Sequence, residues 1–203
     1  MKNEAPVPNG PHEAAEGQHP PYPGIWTFIA ADCAGFAIFF LVFMAERMKA
    51  PALYDASARQ LDVTAGLTNT LILISSSWLV ALACGASLRR QFRWASILML
   101  GGLGVGSCFA VSKISEYHQK LTAGITPATD DFFMFYFILT GIHLLHYLIG
   151  IGVLVIMTVS LRSAARDGGA VVPWLESGAL YWHMVDLLWL FLFPMLYLLG
   201  GHA

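Results

Sequence analysis

The sequence is poor in charged residues. Only 12% of its 203 residues are Asp, Glu, Lys or Arg, and 57% are hydrophobic, whereas an average soluble domain carries about 25% charged residues. The formal net charge of -2 also leaves no broad basic surface for a polyanion. These shortages exclude nucleic acid as a partner and indicate a membrane protein.

Cysteine is scarce as well. Cys33, Cys84 and Cys108 each fall in a different apolar stretch. No two are spaced to hold a metal ion and none lies in an aqueous segment, which argues against dinuclear copper and iron–sulfur sites. We expect them to be small, buried packing residues. No apolar stretch contains the Glu-x-x-His motif that a four-helix di-iron site needs twice.

The first 24 residues have neither a basic start nor an apolar stretch, so they do not resemble a cleavable signal peptide. They are rich in proline, glycine and acidic residues. We therefore predict a polar tail over residues 1–24, followed by a transmembrane domain over residues 25–203.

Five apolar stretches are long enough to cross the membrane. The hydrocarbon core is about 30 Å thick, which takes roughly 20 helical residues. The sequence therefore predicts an all-α integral membrane protein, a bundle of five transmembrane helices. The spans are predicted near residues 26–47, 67–88, 94–117, 132–161 and 177–199.

Arginine placement predicts the orientation. Arg89, Arg90 and Arg93 lie in the short connection between the second and third spans, and Arg162 and Arg166 follow the fourth. These connections share a side with the N-terminus, and arginine and lysine favour the cytoplasmic side. We expect a cytoplasmic N-terminus and a C-terminus outside.

Small residues in the spans predict close helix packing, since apolar side chains gain nothing by leaving lipid for another helix. The first span has Ala30, Ala31, Ala34 and Gly35, and the third has Gly102 and Gly106 within GGLGVGS. A dinucleotide-binding glycine loop needs a strand before it, which an apolar helix does not supply. Packing is the preferred interpretation.

A few polar side chains lie within the predicted spans, where ionisable residues usually face the bundle interior and are candidates for function. We single out an acid in the first span, a group at the end of the third, and histidines and their neighbours in the fourth and fifth. These residues are Asp32, Lys113, Glu116, Tyr117, His143, His146, Tyr181, His183 and Asp186.

Asp32 lies about 9 Å along the helix axis from Trp26. A carboxyl group there is either a proton-exchanging or lipid-facing group, or a neutral acid hydrogen-bonded to another helix. Lys113 and Glu116 are three residues apart, hence on one helix face, and can neutralise each other beside Tyr117 in an interfacial aromatic belt. We prefer a structural ion pair to a catalytic role.

His143 and His146 lie one helical turn apart. Neighbours on one turn cannot occupy opposite axial positions of one haem, although one of them could pair with His183. A zinc site would need an open, hydrated pocket. We favour buried hydrogen bonding over metal binding. His183 and Asp186 are also three apart, and a carboxylate can fix the tautomer of an imidazole that faces it.

Several ordered blocks carry a family resemblance. They are Asp32 in an apolar helix, then NTLILISSS, SEYHQKLTAGITPATDDFFMFYF, TGIHLLHYLIG and YWHMVDLLW. From about Gly24 onward the chain resembles subunit III of the haem-copper oxidase superfamily. Five spans are similar to the short form found in bacterial quinol oxidases. The stretches NTLILISSS, DDFFMFYFILTGIHLLHYLIG and YWHMVDLLW look most similar to NorE-type proteins associated with nitric oxide reductase.

The resemblance implies a non-catalytic accessory subunit without a redox centre of its own, in a bacterial inner membrane. It implies a partner in the membrane, the catalytic subunit, that holds the haems and copper or non-haem iron, and phospholipid bound between the helices. Asp32 matches a family acid associated with sustained proton uptake and active-site stability, although that acid is usually glutamate. In this family the TGIHLLHYLIG histidines would be interior hydrogen-bonding groups, and Gly141 and Gly150 would let other helices or lipid come close.

The function expected is therefore support of assembly, lipid binding and proton supply in a respiratory haem-copper oxidase or nitric oxide reductase complex. Two alternatives remain open from the residues. One is an independent haem or quinone protein that uses His143, His146 and His183. The other is a small proton channel built around Asp32, Glu116 and Asp186.

Overall fold

The computed structural model describes residues 23–167 and 174–200. Nearly all of them are helical, and these two ranges contain no strand. Residues 1–22 of the predicted tail lie outside the described part. The helices are α1 (Pro23–Lys49), α2 (Pro51–Ala58), α3 (Val63–Leu88), α4 (Phe92–Thr122), α5 (Asp131–Asp167) and α6 (Leu175–Phe193), which continues in a π-helical turn over Pro194–Leu198.

Five of these helices are long and apolar enough to cross a membrane: α1, α3, α4, α5, and α6 together with its π-helical turn. The predicted all-α bundle of five spans is thus confirmed. The helices extend beyond most of the predicted ends. The 37 residues of α5 correspond to about 55 Å, which exceeds a hydrocarbon core of about 30 Å, so its ends project from the membrane.

Helix α2 was not predicted, because its eight residues are too few to give an apolar signal. Pro51 lies in its first turn, where the missing N–H is not needed. Ser57 Oγ donates to Asp130 Oδ2 over 2.6 Å, and Asp130 Oδ1 accepts from the backbone N–H of Phe133 over 2.8 Å. The short helix is thereby fixed against the start of α5.

Helix α6 lies at the centre of the bundle. It packs against α1, α3 and α5. In its most apolar stretch of 18 residues 61% are buried, compared with 11% in the corresponding stretch of α1. Trp182 and Trp189 are fully buried. The core is therefore formed by α3, α4, α5 and α6, and α1 lies along its outside.

Two glycines make room for the Trp182 ring. A Cβ atom would come within 3.0 Å of that ring at Gly106 and within 2.8 Å at Gly150. At Gly102 it would lie 3.1 Å from Val80. The packing interpretation of the GGLGVGS run is confirmed. A Cβ atom added at Gly35 would have no atom of a neighbouring helix within 4 Å. This small residue of α1 therefore makes no close helix contact.

Pro194 ends α6 as a regular α-helix. Proline has no N–H and its ring disfavours the preceding helical turn, and here the backbone widens into π-helical geometry over Pro194–Leu198. Tyr197, which lies in this turn, is fully buried. The change of helix geometry at Pro194 thus directs a tyrosine into the bundle.

Replacing Gly150 by Ala should lower the free energy of unfolding by about 1–3 kcal/mol, because the new methyl group overpacks against the buried Trp182. Gly152 on the same helix is the matched control, since a Cβ there meets nothing within 4 Å. Gly152→Ala should be neutral or stabilising, because Ala is the better helix former. Denaturant titration in detergent micelles measures both. Equal effects of the two substitutions would contradict the packing role of Gly150.

Candidate functional site

Lys113 and Glu116 form an ion pair enclosed by the bundle. Lys113 Nζ lies 3.0 Å from Glu116 Oε2, and the two residues are only 1% and 7% exposed. The sequence placed this pair near the membrane surface in an aromatic belt. Its burial differs from that expectation, because α5 and the π-helical turn cover this part of α4.

Two tyrosines complete the cluster. Lys113 Nζ donates to Tyr136 Oη over 3.1 Å and to Tyr197 Oη over 2.8 Å. Both hydroxyls donate in turn to Glu116 Oε1 over 2.7 Å. An ammonium group has three protons, and each has an acceptor here. The cluster joins α4, α5 and the π-helical turn, and its charges are neutralised within the chain.

Tyr117 extends this network towards α5. Its hydroxyl lies 2.6 Å from Thr140 Oγ1. Thr140 has one hydroxyl proton, which it donates to the carbonyl oxygen of Tyr136 over 2.6 Å. Tyr117 is therefore the donor to Thr140. This contact further ties α4 to α5.

Asp32 and His146 form a second pair, between α1 and α5. Asp32 Oδ1 lies 3.0 Å from His146 Nε2, and both side chains are 17% exposed. The ring of Phe36 packs edge-on against the imidazole, with 5.7 Å between centroids. Asp32 Oδ2 has no hydrogen-bond partner among the described residues.

The contacts of His146 show what a hydrogen bond to Asp32 requires. Its Nδ1 lies 2.8 Å from the carbonyl oxygen of Ile142, and a carbonyl oxygen only accepts, so Nδ1 carries a hydrogen. A bond between Nε2 and Asp32 then needs one further proton. That proton resides either on the ring, which gives an imidazolium–carboxylate pair, or on the carboxyl group, which gives a neutral pair.

The pair lines a groove of about 320 Å³ between α1 and α5. Its other walls are apolar or aromatic, and they include Phe28, Phe36 and Phe39. Phe28 and Phe39 are 48% and 38% exposed. The groove therefore opens towards the lipid side of the bundle, with the carboxyl and imidazole groups at its wall.

Sequence reasoning did not pair Asp32 with His146. The depth of each residue in the membrane could have indicated this contact. Helix α1 ends at Lys49 and α5 begins at Asp131 on the same side of the membrane. Asp32 lies about 25 Å from Lys49 along α1, and His146 about 22 Å from Asp131 along α5. Matching these depths would have made the two residues candidates for contact.

His143 is fully buried but is not joined to a neighbouring helix by a hydrogen bond. Neither ring nitrogen has a partner among the described residues. The ring packs instead against Phe109 and Trp189, with centroids 5.7 Å and 5.3 Å away. Of the two histidines in TGIHLLHYLIG, His146 alone forms hydrogen bonds within the described part of the chain.

The polar residues of α6 point in two directions. Tyr181 Oη donates to the carbonyl oxygen of His146 over 3.1 Å, which connects α6 with the Asp32–His146 pair. His183 Nδ1 lies within hydrogen-bonding distance of Ser77 Oγ on α3. Asp186, 9% exposed, has no hydrogen bond in the described structure. His183 and Asp186 thus do not form the predicted pair.

Within residues 23–167 and 174–200, no three His, Cys, Asp or Glu side chains are grouped so that they could hold a metal ion. Cys33 and Cys84 are half-buried. Cys108 is exposed, and its thiol lies 3.6 Å from the carbonyl oxygen of Gly104. The expectation of a buried packing role is therefore wrong for Cys108, which faces outward from α4.

Comparison with known proteins shows the family. The profile described as cytochrome c oxidase subunit III matches residues 22–201. The chain belongs to the cytochrome c oxidase subunit III family. The expected family is thus confirmed. The matched range includes both polar pairs, Lys113–Glu116 and Asp32–His146.

Three relatives illustrate the range of this family. A cytochrome c oxidase subunit 3 of Alkalihalophilus pseudofirmus is 27% identical and covers 96% of this chain and 94% of its own. A cytochrome bo(3) ubiquinol oxidase subunit 3 of Pseudomonas putida is 29% identical, with 87% and 84% covered. A heme-copper oxidase subunit I+III of Aeropyrum pernix is 27% identical over 89% of this chain, which spans only 24% of that longer relative.

In this subunit III chain the Lys113–Glu116 pair should stabilise the fold. Lys113→Met leaves a buried carboxylate without its cation, and Glu116→Gln leaves a buried ammonium without its counter-ion. Each should lower the free energy of unfolding by about 3–5 kcal/mol. The double variant should lose less than the sum of the two, because it leaves no buried charge without its partner. Unfolding in detergent micelles measures all three.

The exposed pair of Lys49 and Glu46 is the control. It has the same three-residue spacing and a distance of 2.6 Å, but 69% of the Lys49 side chain is accessible. Lys49→Met should cost at most about 1 kcal/mol. Strict additivity of the two buried substitutions would contradict the proposed interdependence of Lys113 and Glu116.

Proposed function

We propose that this chain is an accessory subunit of a respiratory haem-copper oxidase and packs in the membrane on the catalytic subunit. The observation that carries this proposal is the family match over residues 22–201. The names of two relatives assign them to a cytochrome c oxidase and a cytochrome bo(3) ubiquinol oxidase. A third name joins subunits I and III in one protein.

In this proposal the chain has no redox centre of its own, and the haems and copper belong to the catalytic partner. The side-chain geometry supports that division. Both ring nitrogens of His146 are engaged, one by Ile142 and one by Asp32. Nδ1 of His183 faces Ser77, and His143 is enclosed by aromatic rings. The rival use of these three histidines as haem ligands would require that packing to be rebuilt.

A nitric oxide reductase is the second candidate partner. It rests on the resemblance of NTLILISSS, DDFFMFYFILTGIHLLHYLIG and YWHMVDLLW to NorE-type proteins. Such a partner would contain non-haem iron where an oxidase contains copper. The metal content of the purified complex distinguishes the two partners.

The second part of the proposal concerns lipid and protons. The groove of about 320 Å³ beside Asp32 and His146 is mostly apolar and open to the bilayer, so it suits a phospholipid acyl chain. A lipid there would keep water from the pair. With one shared proton the pair is neutral overall, and that proton can move between the Asp32 carboxyl group and the His146 ring without creating a net charge in hydrocarbon, which would support proton supply to the partner.

We further propose a bacterial inner-membrane location with the N-terminus in the cytoplasm. The five spans among the described residues place the two ends of that part of the chain on opposite sides. The connection that follows α3 carries Arg89 and Arg90, Arg93 lies in the first turn of α4, and α5 ends near Arg166. All are on the side of the N-terminus, which is the side that arginine favours.

Affinity purification in mild detergent tests the assignment of partner. A tagged chain should bring down a large membrane subunit that contains haem, with copper for an oxidase or non-haem iron for a nitric oxide reductase. Mass spectrometry of the same sample identifies bound phospholipid. A stoichiometric Soret band from the isolated chain, or purification with no catalytic subunit, would contradict the proposal.

Asp32→Asn should reduce the sustained turnover of the intact complex, because an amide cannot share a proton with His146. Asp32→Glu is the matched control, since it keeps the carboxyl group and adds one methylene. It should retain most of the activity. Oxygen or nitric oxide consumption over many turnovers measures the difference.

The same Asp32→Asn chain in liposomes tests the rival channel. The accessory-subunit proposal predicts no proton flux from the isolated chain, whether wild type or variant. Flux that Asp32→Asn abolishes would support the channel instead. Equal sustained turnover of the Asn and Glu variants in the complex would remove Asp32 from the proton role.

A further inference from the structure

A second groove lies between α3 and α6. It has a volume of about 450 Å³ and an apolar rim that includes Trp78 and Leu187. Three polar side chains also line it: Ser77, His183 and Asp186. Nothing in the function proposed above uses these three groups.

The carboxyl group of Asp186 lacks a hydrogen-bond donor in the described structure. Asp186 is 9% exposed, and neither of its carboxyl oxygens has a hydrogen bond there. The Ser77 hydroxyl, which lines the same groove, lies within hydrogen-bonding distance of His183 Nδ1 instead. No described side chain of this groove therefore donates to Asp186.

The missing donor cannot come from the membrane surface. Asp186 lies about 17 Å along the helix axis from Leu175 and a similar distance from Leu198, which are the ends of this span. Lipid headgroups are therefore out of reach, and hydrocarbon chains supply no donor. The donor must belong to a molecule that enters the groove at the level of the bilayer centre.

A permanent occupant fits this geometry better than a transient one. An unpartnered polar group in hydrocarbon costs free energy whenever the groove is empty. A diffusing small molecule, such as a quinol, would leave Asp186 without a donor between binding events. A packed transmembrane helix would not, and side chains of membrane helices do hydrogen-bond across helix contacts.

The rim suits a helix as well. Trp78 on α3 is 68% exposed and Leu187 on α6 is 47% exposed, so both project from the bundle on either side of the polar groups. The Asp32 groove differs, because its carboxyl group already has His146 as an internal partner. The carboxyl group of Asp186 therefore lacks the internal partner that Asp32 has, and it needs a hydrogen-bond donor from outside the described chain.

We propose that the groove lined by Ser77, His183 and Asp186 receives a transmembrane helix of the catalytic subunit, which places a side-chain hydrogen-bond donor against Asp186. The inference rests on the proposed function, since it names the face of this chain that binds the partner. It also assigns Asp186 a role between subunits instead of within the chain.

Photo-crosslinking in intact membranes tests this contact. A benzophenone amino acid replaces Trp78 at the rim of the groove, or Leu148 on α5 as the control, where the side chain is 55% exposed. Both chains are expressed with the complete complex. The Trp78 position should crosslink to the catalytic subunit, and the Leu148 position should give little or no such product.

Asp186→Leu gives an independent readout. The substitution removes no hydrogen bond within the described chain, so the isolated chain should be as stable as the wild type or more stable. The ratio of catalytic subunit to chain after detergent purification should fall about three- to tenfold, which corresponds to one interhelical hydrogen bond in a membrane. A purely internal role would instead destabilise the isolated chain.

Three results would overturn the inference. The complex could assemble normally while crosslinks arise from Leu148 and not from Trp78. The Trp78 adduct could have the mass of a quinone or a lipid, so that a small molecule occupies the groove. If the tagged chain brings down no catalytic subunit at all, the proposed function is wrong and this contact is overturned with it. If the catalytic subunit copurifies normally, crosslinks from Leu148 or a small-molecule adduct at Trp78 overturn this contact but leave the proposed function intact.

Discussion

The absence of hydrogen-bonding partners in hydrocarbon is the constraint on which this structure depends. Within lipid, each polar atom of the chain has to find its partner in protein. The Lys113–Glu116 cluster meets this condition, since every proton of the ammonium group has an acceptor in Glu116, Tyr136 or Tyr197. Because these residues come from α4, α5 and the π-helical turn, satisfying one ion pair also fixes how three segments lie against each other.

The central position of α6 follows from the same constraint together with shape. Trp182 can lie at the core because Gly106 and Gly150 leave room for its ring. Pro194 then widens the helix so that Tyr197 reaches Lys113. The two glycines, the proline and the ion pair therefore all help to fix the position of α6 in the bundle.

The sequence alone predicts the parts of this structure that depend on local pattern. Apolar length predicts the five spans, and the three-residue spacing predicts that Lys113 and Glu116 pair. The tyrosines that complete the cluster and the Asp32–His146 contact depend on the rotation and depth of separate helices, which no local pattern specifies. The three-residue spacing of His183 and Asp186 suggested a pair that does not form. The imidazole of His183 contacts Ser77 on α3 instead, and spacing within α6 gives no information about that helix.

Polar groups of this bundle differ in whether the chain itself satisfies them, and that difference separates fold from function. The Lys113 cluster is complete and enclosed, so it has nothing to offer a ligand. Asp32 and His146 contact each other at the wall of a groove, while Asp32 Oδ2 has no partner in the described structure. Asp186 has no such partner within the described chain. A completed cluster therefore stabilises the fold, and the two carboxyl groups with unpartnered oxygens, Asp32 and Asp186, are those to which we assign the proposed proton role and the proposed subunit contact.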